Sequence, residues 1–363
     1  MSIPLTAGAT LHPLVLPARA DAGPTPLIQA YAEARNASIR ETTGRDDDAL
    51  TAEALMPLLR SSPERTRRQW YVEHDGEVVG CSAINLLTDD DGATAIATIA
   101  LAKRLWGRGI GAAAYRELEA DARGAGAEKI LHWAEHHDEE GTELLPSPTG
   151  FGAVPLDHAA RFLRRQLYAL EQVVRVSALI WDEQTPGALT RLREEAAAHA
   201  DEYRIVQWTL PTPAEYVDGY AWLKSRMSTD TPDAELGQPE ELWDAERVAR
   251  HDDRYAQMSH TVLVTAAQHV ATGVLCAFNE LSIGPDEASV THQEDTLVAA
   301  PHRGHRLGML VKTAGLLSWR EHHPQSSRVV TYNAEENRPM LSINEAIGFA
   351  PIAYEGAWKK VLT

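Results

Sequence analysis

Two stretches decide how the chain is read: EDTLVAAPHRGHRLGMLVKTAGLLSW, from Glu294 to Trp319, and VVTYNAEENRPMLSINEAIGF, from Val329 to Phe349. The first opens on a short strand-like run (Thr296, Leu297, Val298) and passes through a turn. It continues as a helix with Leu310, Val311, Ala314 and Leu317 at helical spacing. The turn holds Arg303, Gly304, His305, Arg306, Leu307 and Gly308. A strand feeding a glycine-bearing turn at a helix N-terminus leaves backbone N–H groups unpaired, and the helix dipole favours an anion there. Gly304 and Gly308 let a diphosphate approach the backbone, while Arg303, His305 and Arg306 add donors. Alone, the pattern also reads as a tight turn with solvated basic residues, as in many α/β proteins.

The second stretch turns the reading. A strand (Val329, Val330, Thr331, Tyr332) leads to Asn333, then Asn337, Met340, Asn344, Gly348 and Phe349. In this order the two pieces resemble the GNAT acyltransferase family. Arg303–Gly308 is similar to its acyl-CoA diphosphate turn, and the second piece to its Asn…helix…Gly-Phe segment. The resemblance implies a strand, Thr296 to Ala300, whose backbone at Leu297 and Val298 pairs with pantetheine. It implies that Asn333, Asn337 and Met340 line the same arm. Arg306 stands where most of the family has glycine. The cosubstrate so implied is acetyl-CoA or another acyl-CoA.

The remainder of the chain is compatible with this. At 363 residues it has room for two domains, each with its own core. Hydrophobic content of 44% with 24% charged residues is that of a globular protein without a membrane span. A net charge of −18 speaks against nucleic acid and anionic membranes as partners, and suits an amine substrate or plain solubility. Cys81 and Cys276 sit in apolar strand-like contexts and read as buried free thiols. With no signal-like N-terminal segment, the expected location is cytoplasmic.

In chain order, Pro26–Arg40 reads as a helix, with a second from Thr51, a candidate N-cap. WYVEH and EVVGCSAINLL flank Asp75–Gly76, a two-residue hairpin turn. The strand TAIATIAL (94–101) then leads to Trp106–Gly111, a second glycine turn heading a helix, followed by a strand from Lys129. After a loop at Asp182–Gly187 the same order returns. The reading is an internal duplication, an α/β (α+β) fold resembling two tandem GNAT domains of the mycothiol synthase-like kind. Each would be a mixed, mostly antiparallel sheet with a splayed central pair of strands flanked by helices. The expected domains are 1–181, degenerate, and 182–363, catalytic. Arg108, Gly109 and Gly111 are the corresponding nucleotide-binding candidates of the first half.

Acyl transfer from a thioester to an amine needs a held thioester and a base for the amine. Glu294 and Asp295 begin the strand where the resemblance places a carboxylate facing the amine. Successive strand residues face opposite sides, so at most one of them can point into the cleft, and each also reads as a solvated strand end; His292 is a third candidate. The tyrosine that relatives use as acid is replaced by Asn344, leaving Tyr332 and Tyr354 as candidates or as packed strand aromatics. A thiolate with a pKa near 8.5 also leaves tolerably without an acid. His132, His136, His137, His322 and His323 lack a third-ligand pattern, so no metal is expected. The acidic runs at 46–48 and 138–143 read as solvated loops. The expected partner is a small-molecule amine, the donor being acyl-CoA or an acyl carrier protein, and the chain a monomer or homodimer. A non-catalytic acyl-CoA-binding module is the competing reading. A dinucleotide-binding dehydrogenase is disfavoured because no acidic residue follows at the end of a second parallel strand.

Overall fold

The computed structural model describes residues 2–19, 22–137 and 142–362, so residues 138–141 of the acidic run lie outside the described residues. In chain order the first half contains β1 (Ile3–Pro4), β2 (Thr10–Pro13), α1 (Pro26–Thr43), α2 (Ala52–Leu59), β3 (Arg65–His74), β4 (Glu77–Leu87) and β5 (Thr94–Leu101). It continues with α3 (Ile110–Gly124), β6 (Lys129–His136), β7 (Leu144–Pro146), β8 (Ala153–Pro155), α4 (His158–Arg165) and β9 (Ala169–Ile180). The second half repeats the order. It has α5 (Thr185–Ala197), β10 (Tyr203–Thr209), α6 (Val217–Asp230), α7 (Ala245–Gln257), β11 (Thr261–His269) and β12 (Leu275–Ile283). Then follow β13 (Thr291–Val298), α8 (Leu307–His322), β14 (Arg328–Ala334), α9 (Arg338–Ile347) and β15 (Ala350–Val361).

Local chemistry starts these elements where the residues suggest. The Thr25 hydroxyl accepts the Ile28 N–H at 3.3 Å to cap α1, and Thr51 accepts Ala54 N–H at 3.2 Å to cap α2. Asp75 and Gly76 both take positive φ, 53° and 79°, the geometry a two-residue hairpin turn requires. Asp182 accepts the Gln184 and Thr185 amides at 2.9 and 2.7 Å, turning the expected loop into the start of α5.

The chain forms two compact units. One runs to Val173 and adds Asp233–Pro239 and the chain from Tyr354; the other holds Val174–Pro232 and Glu240–Ala353. In the first unit β1-β2-β3-β4-β5-β6 is completed by β15, antiparallel to β6. In the second unit the order is β9-β14-β13-β12-β11-β10, with Val174–Ile180 of β9 antiparallel to β14. The final strand of each half therefore completes the other unit. The expected boundary at 181/182 lies beyond β9, and Tyr354 belongs to the first unit, opposite His136.

Within each unit one parallel pair interrupts an antiparallel sheet. In the second, β13 and β14 pair only over Thr291↔Val329, His292↔Val330 and Gln293↔Thr331, then part. In the first, β5 and β6 pair over Thr94–Ile96 and Lys129–Leu131 and then part. Helix α8 backs the second fork. Leu307, Leu310 and Val311 pack with Ala196 of α5 and Ala200 just after it, and Leu316 and Trp319 join Leu281 and Val329. Its last turn carries Arg320 and His322, favourable at the negative end of the dipole.

A fragment cut at 181/182 strips β9 from β14 and is expected to be unfolded or aggregated by circular dichroism and size exclusion. A cooperatively unfolding 182–363 fragment would contradict this assignment of strands.

Candidate active site

Beyond Gln293 the edge of β13 that faced β14 has no strand partner, while its other edge stays paired to β12 through Val298↔Ala277, Leu297↔Phe278 and Asn279↔Thr296. The chain then enters the turn heading α8. Gly304 adopts φ +89° in open space, and Arg306, the N-cap, sits at φ 54° with no side-chain cap on the helix. The first-turn amides of α8 are thus left for an outside acceptor.

The turn residues divide their roles. Arg306 is exposed, and Leu307 is buried in the core so that only its backbone serves the turn. Arg303 folds back, its guanidinium donating to the Val298 carbonyl at 3.2 Å and pairing with Asp230 at 3.3 Å. His305 packs against Tyr203 with ring centroids 5.5 Å apart, and the Tyr203 hydroxyl meets His302 Nδ1 at 2.9 Å. Gly308 is fixed by packing: a Cβ there would stand 3.0 Å from Ile343 Cδ1 and 3.5 Å from Val298 Cγ2.

On the far side of the fork, Asn337 caps α9, accepting Met340 N–H at 3.4 Å. Asn333 accepts from Asn344 Nδ2 at 2.7 Å, so the residue in the tyrosine position is tied to the strand. Tyr332 lies on β14 opposite Val176, packed partly against Val176 and Val330.

The carboxylates hold the main departure from the sequence reading. Between Asn279↔Thr296 and Leu281↔Gln293, β12 contributes one residue, Glu280, and β13 two, Glu294 and Asp295. This is a β-bulge, and it breaks the alternation that would have sent Glu294 and Asp295 to opposite faces. Both act electrostatically on Glu280 and on Tyr255 of α7. Lys224 of α6 binds the group together, with Nζ 2.6 Å from Asp295 Oδ2 and 3.3 Å from Glu280, and 4.9 Å from the Trp243 ring centre. Tyr220 donates its hydroxyl to Glu280. Glu294 is exposed and accepts from Ser282 at 2.7 Å.

Burial sets the proton affinities. The Glu280 side chain is 2% exposed, and desolvation lifts its pKa to about 7, with the Lys224 ammonium pulling the other way and Asp295 and Glu294 adding to the rise. Burial opposes the charge on Lys224, but Asp295 and then Glu280 outweigh it and raise the ammonium's pKa. Glu280 went unnoticed in the sequence. Its signal is a glutamate inside LCAFNELSI, a strand buried along its whole length.

The first unit differs in detail. Gly109 heads α3 at φ 79° without a side-chain cap, Arg108 is exposed with its carbonyl accepting from Thr6 Oγ1 at 3.3 Å, and Gly111 lies under Phe162. The β4–β5 register runs unbroken from Gly80↔Leu101 to Leu86↔Ala95, with no bulge. His132 hydrogen-bonds the backbone of Ala97 just past the fork, and burial holds its pKa down at about 4. His136 is likewise spoken for, between Trp358 Nε1 at 3.2 Å and Asp157 at 3.0 Å. Glu355, near Glu135 and Asp48, has a pKa lifted to about 7, first by burial. Among the described residues no cluster of three or more His, Cys, Asp or Glu is placed to hold a metal ion, and no helix is long and apolar enough to cross a membrane.

Residues 32–145 match the model of the acetyltransferase (GNAT) family, within the first unit. No curated protein matches the chain. Among solved structures, a tandem GNAT protein from the clavulanic acid biosynthesis pathway, determined without acetyl-CoA, is 23% identical with a TM-score of 0.72, over 97% of this chain and 98% of that one. A GCN5-related N-acetyltransferase from Sphaerobacter thermophilus is 15% identical with a TM-score of 0.62, over 99% and 97%. A glucosamine N-acetyltransferase region of a fungal multi-domain β-N-acetylglucosaminidase is 12% identical with a TM-score of 0.59, over 98% of this chain and 38% of that one. The chain has the fold of a tandem GNAT protein, and its first unit carries the match to the acetyltransferase (GNAT) family.

Proposed function

We propose that the protein is an acyl-CoA-dependent N-acyltransferase that moves an acyl group, acetyl in the simplest case, to the primary amine of a small molecule in its second unit. The observation that carries this reading is the coincidence at one fork of a free β13 edge, an uncapped α8 N-terminus and the carboxylates gathered by the bulge. The bound cosubstrate supplies the thioester carbonyl on which the amine acts.

Each protein group then has a task. The α8 first-turn amides, with Arg306 and His305, hold the diphosphate. The free edge of β13 at Leu297 and Val298 aligns the pantetheine arm, and Asn333, Asn337 and Met340 bound its other side. Glu294 and the half-exposed Asp295 attract the acceptor ammonium. Glu280 takes the proton, directly or through water, because a carboxylate with a pKa near 7 is both available and basic at neutral pH. Tyr332, on β14, bounds the far side, partly packed against Val176 and Val330.

The family match to residues 32–145 favours a second reading, in which Arg108, Gly109 and Gly111 hold the diphosphate and Glu355 serves as base. Against it stand the His132 contact with the Ala97 backbone at that fork and the unbroken β4–β5 register. Charge reversal at the two exposed turn arginines separates the readings. Arg306→Glu should weaken acetyl-CoA binding in calorimetry by about tenfold, roughly 1.4 kcal/mol, and Arg108→Glu should not. The opposite result would move the chemistry to the first unit. Full turnover by Arg306→Glu with an acyl carrier protein as donor would instead favour that donor.

Glu280 gives a second prediction, in pH. kcat/KM should rise with pH through about 7 as Glu280 loses its proton. Glu280→Gln should remove that limb and lower the rate by about 10²-fold or more. The folded protein holds this proton more tightly than the unfolded chain, so Glu280 costs stability as pH rises from 4.5 towards about 7. Urea titrations of Glu280→Gln should lose that slope; an unchanged rate profile would remove Glu280 as base.

A further inference from the structure

Lys312 is a fully buried amine on α8, in a helix otherwise lined with apolar and small residues. Its place follows from its neighbours. One turn before it, a Cβ on Gly308 would stand 3.5 Å from Val298 Cγ2 of β13. Two turns after it, Trp319 Nε1 donates to Thr291 Oγ1 at the start of the same strand at 2.8 Å. Lys312 thus lies along β13 between its paired beginning and its free end, beneath the point where β14 departs after Gln293. Its Nζ reaches across to Met340 Sδ of α9 at 3.6 Å. Met340 and Asn344 are four residues apart and share a face of α9. The residue the amine touches is therefore one helical turn of α9, roughly 5.4 Å along its axis, from the position whose tyrosine is missing.

Its surroundings are incomplete. Among the described residues the amine has no acceptor apart from the thioether, a weak one. On the sheet face that α8 covers and on α9, the side-chain oxygens Gln293 Oε1, Asn279 Oδ1 and Asn344 Oδ1 are also buried without partners. Met340, which it touches, and the polar side chains at the β12–β13 register positions beside α8, Gln293, Thr296 and Asn279, are not ionisable. A buried lysine with no carboxylate is costly to keep as mere packing, where methionine or leucine would serve.

We infer that Lys312 is the proton donor to the departing thiolate, supplying from α8 what Asn344 cannot. When the acyl carbon–sulfur bond breaks, sulfur keeps the electron pair and takes an N–H proton from the ammonium. This leaves a neutral amine, the form that a dry site prefers, and solvent restores its proton after the thiol departs. Burial has already lowered the Lys312 pKa to about 7, with no charged group assisting or opposing it. This inference rests on the acyltransferase reading above.

The test titrates the sulfur itself. An ammonium beside the thiol should lower its pKa, so the thiolate absorbance near 232 nm of coenzyme A bound to the wild-type protein should appear below the free-thiol value of about 8.5. Lys312→Met, close in volume and set among apolar neighbours, should return the bound thiol to the free value or above. It should also lower kcat with acetyl-CoA and a panel of primary amines by about 10²-fold with little change in KM. Coenzyme A that binds to the wild type with an unshifted thiol, or a Lys312→Met protein with unaltered titration and kcat, overturns the role of Lys312 alone. Failure of the wild type to bind coenzyme A at all would overturn the acyltransferase reading as well.

Discussion

Two adjacent strands that part after three residue pairs leave one row of backbone groups with nothing in the sheet to satisfy them. Buried amides and carbonyls seldom stay unpaired, and under the proposed function a pantetheine arm laid between β13 and β14 would pair with that row. The uncapped start of α8 extends the row of donors to an anion-binding end. Tight packing of α8 holds the opening in place: a single added methyl at Gly308 would meet Ile343 Cδ1 at 3.0 Å, and one at Gly315 would meet Thr265 Oγ1 at the same distance.

The opening separates two chemistries onto two faces. The bulge turns Glu294 and Asp295 towards α6 and α7, where Lys224 and Glu280 complete a charged, partly buried cluster. On the α8 face the surroundings are dry and uncharged, and there Lys312 sits alone. Two groups with pKa values near 7, one acidic and one basic by type, thus flank the same fork from opposite sides. That is the arrangement by which a protein takes a proton from one reactant and gives one to another at neutral pH.

What could be read from residues alone was what short-range chemistry dictates. The glycine turn before α8, the Asp75–Gly76 hairpin and the Thr51 cap of α2 each depend on a few consecutive residues. The bulge could not be read, because Glu294 and Asp295 leave the alternating pattern only through pairing with a strand of different count. Nor could the exchange of β9 and β15, since two strands of similar pattern carry no local mark of which edge they will complete. Glu280 and Lys312 did leave a mark, a single charge inside an apolar strand or helix. A charge there is held either by partners or by a task.

The most direct test is a crystal structure of the protein with coenzyme A. The expected result is the diphosphate on the amides around Gly304–Gly308, the pantetheine between β13 and β14, and the sulfur within reach of Lys312. Coenzyme A found only at Gly107–Gly111 of the first unit, with the β13–β14 opening filled by the protein's own side chains, would contradict it.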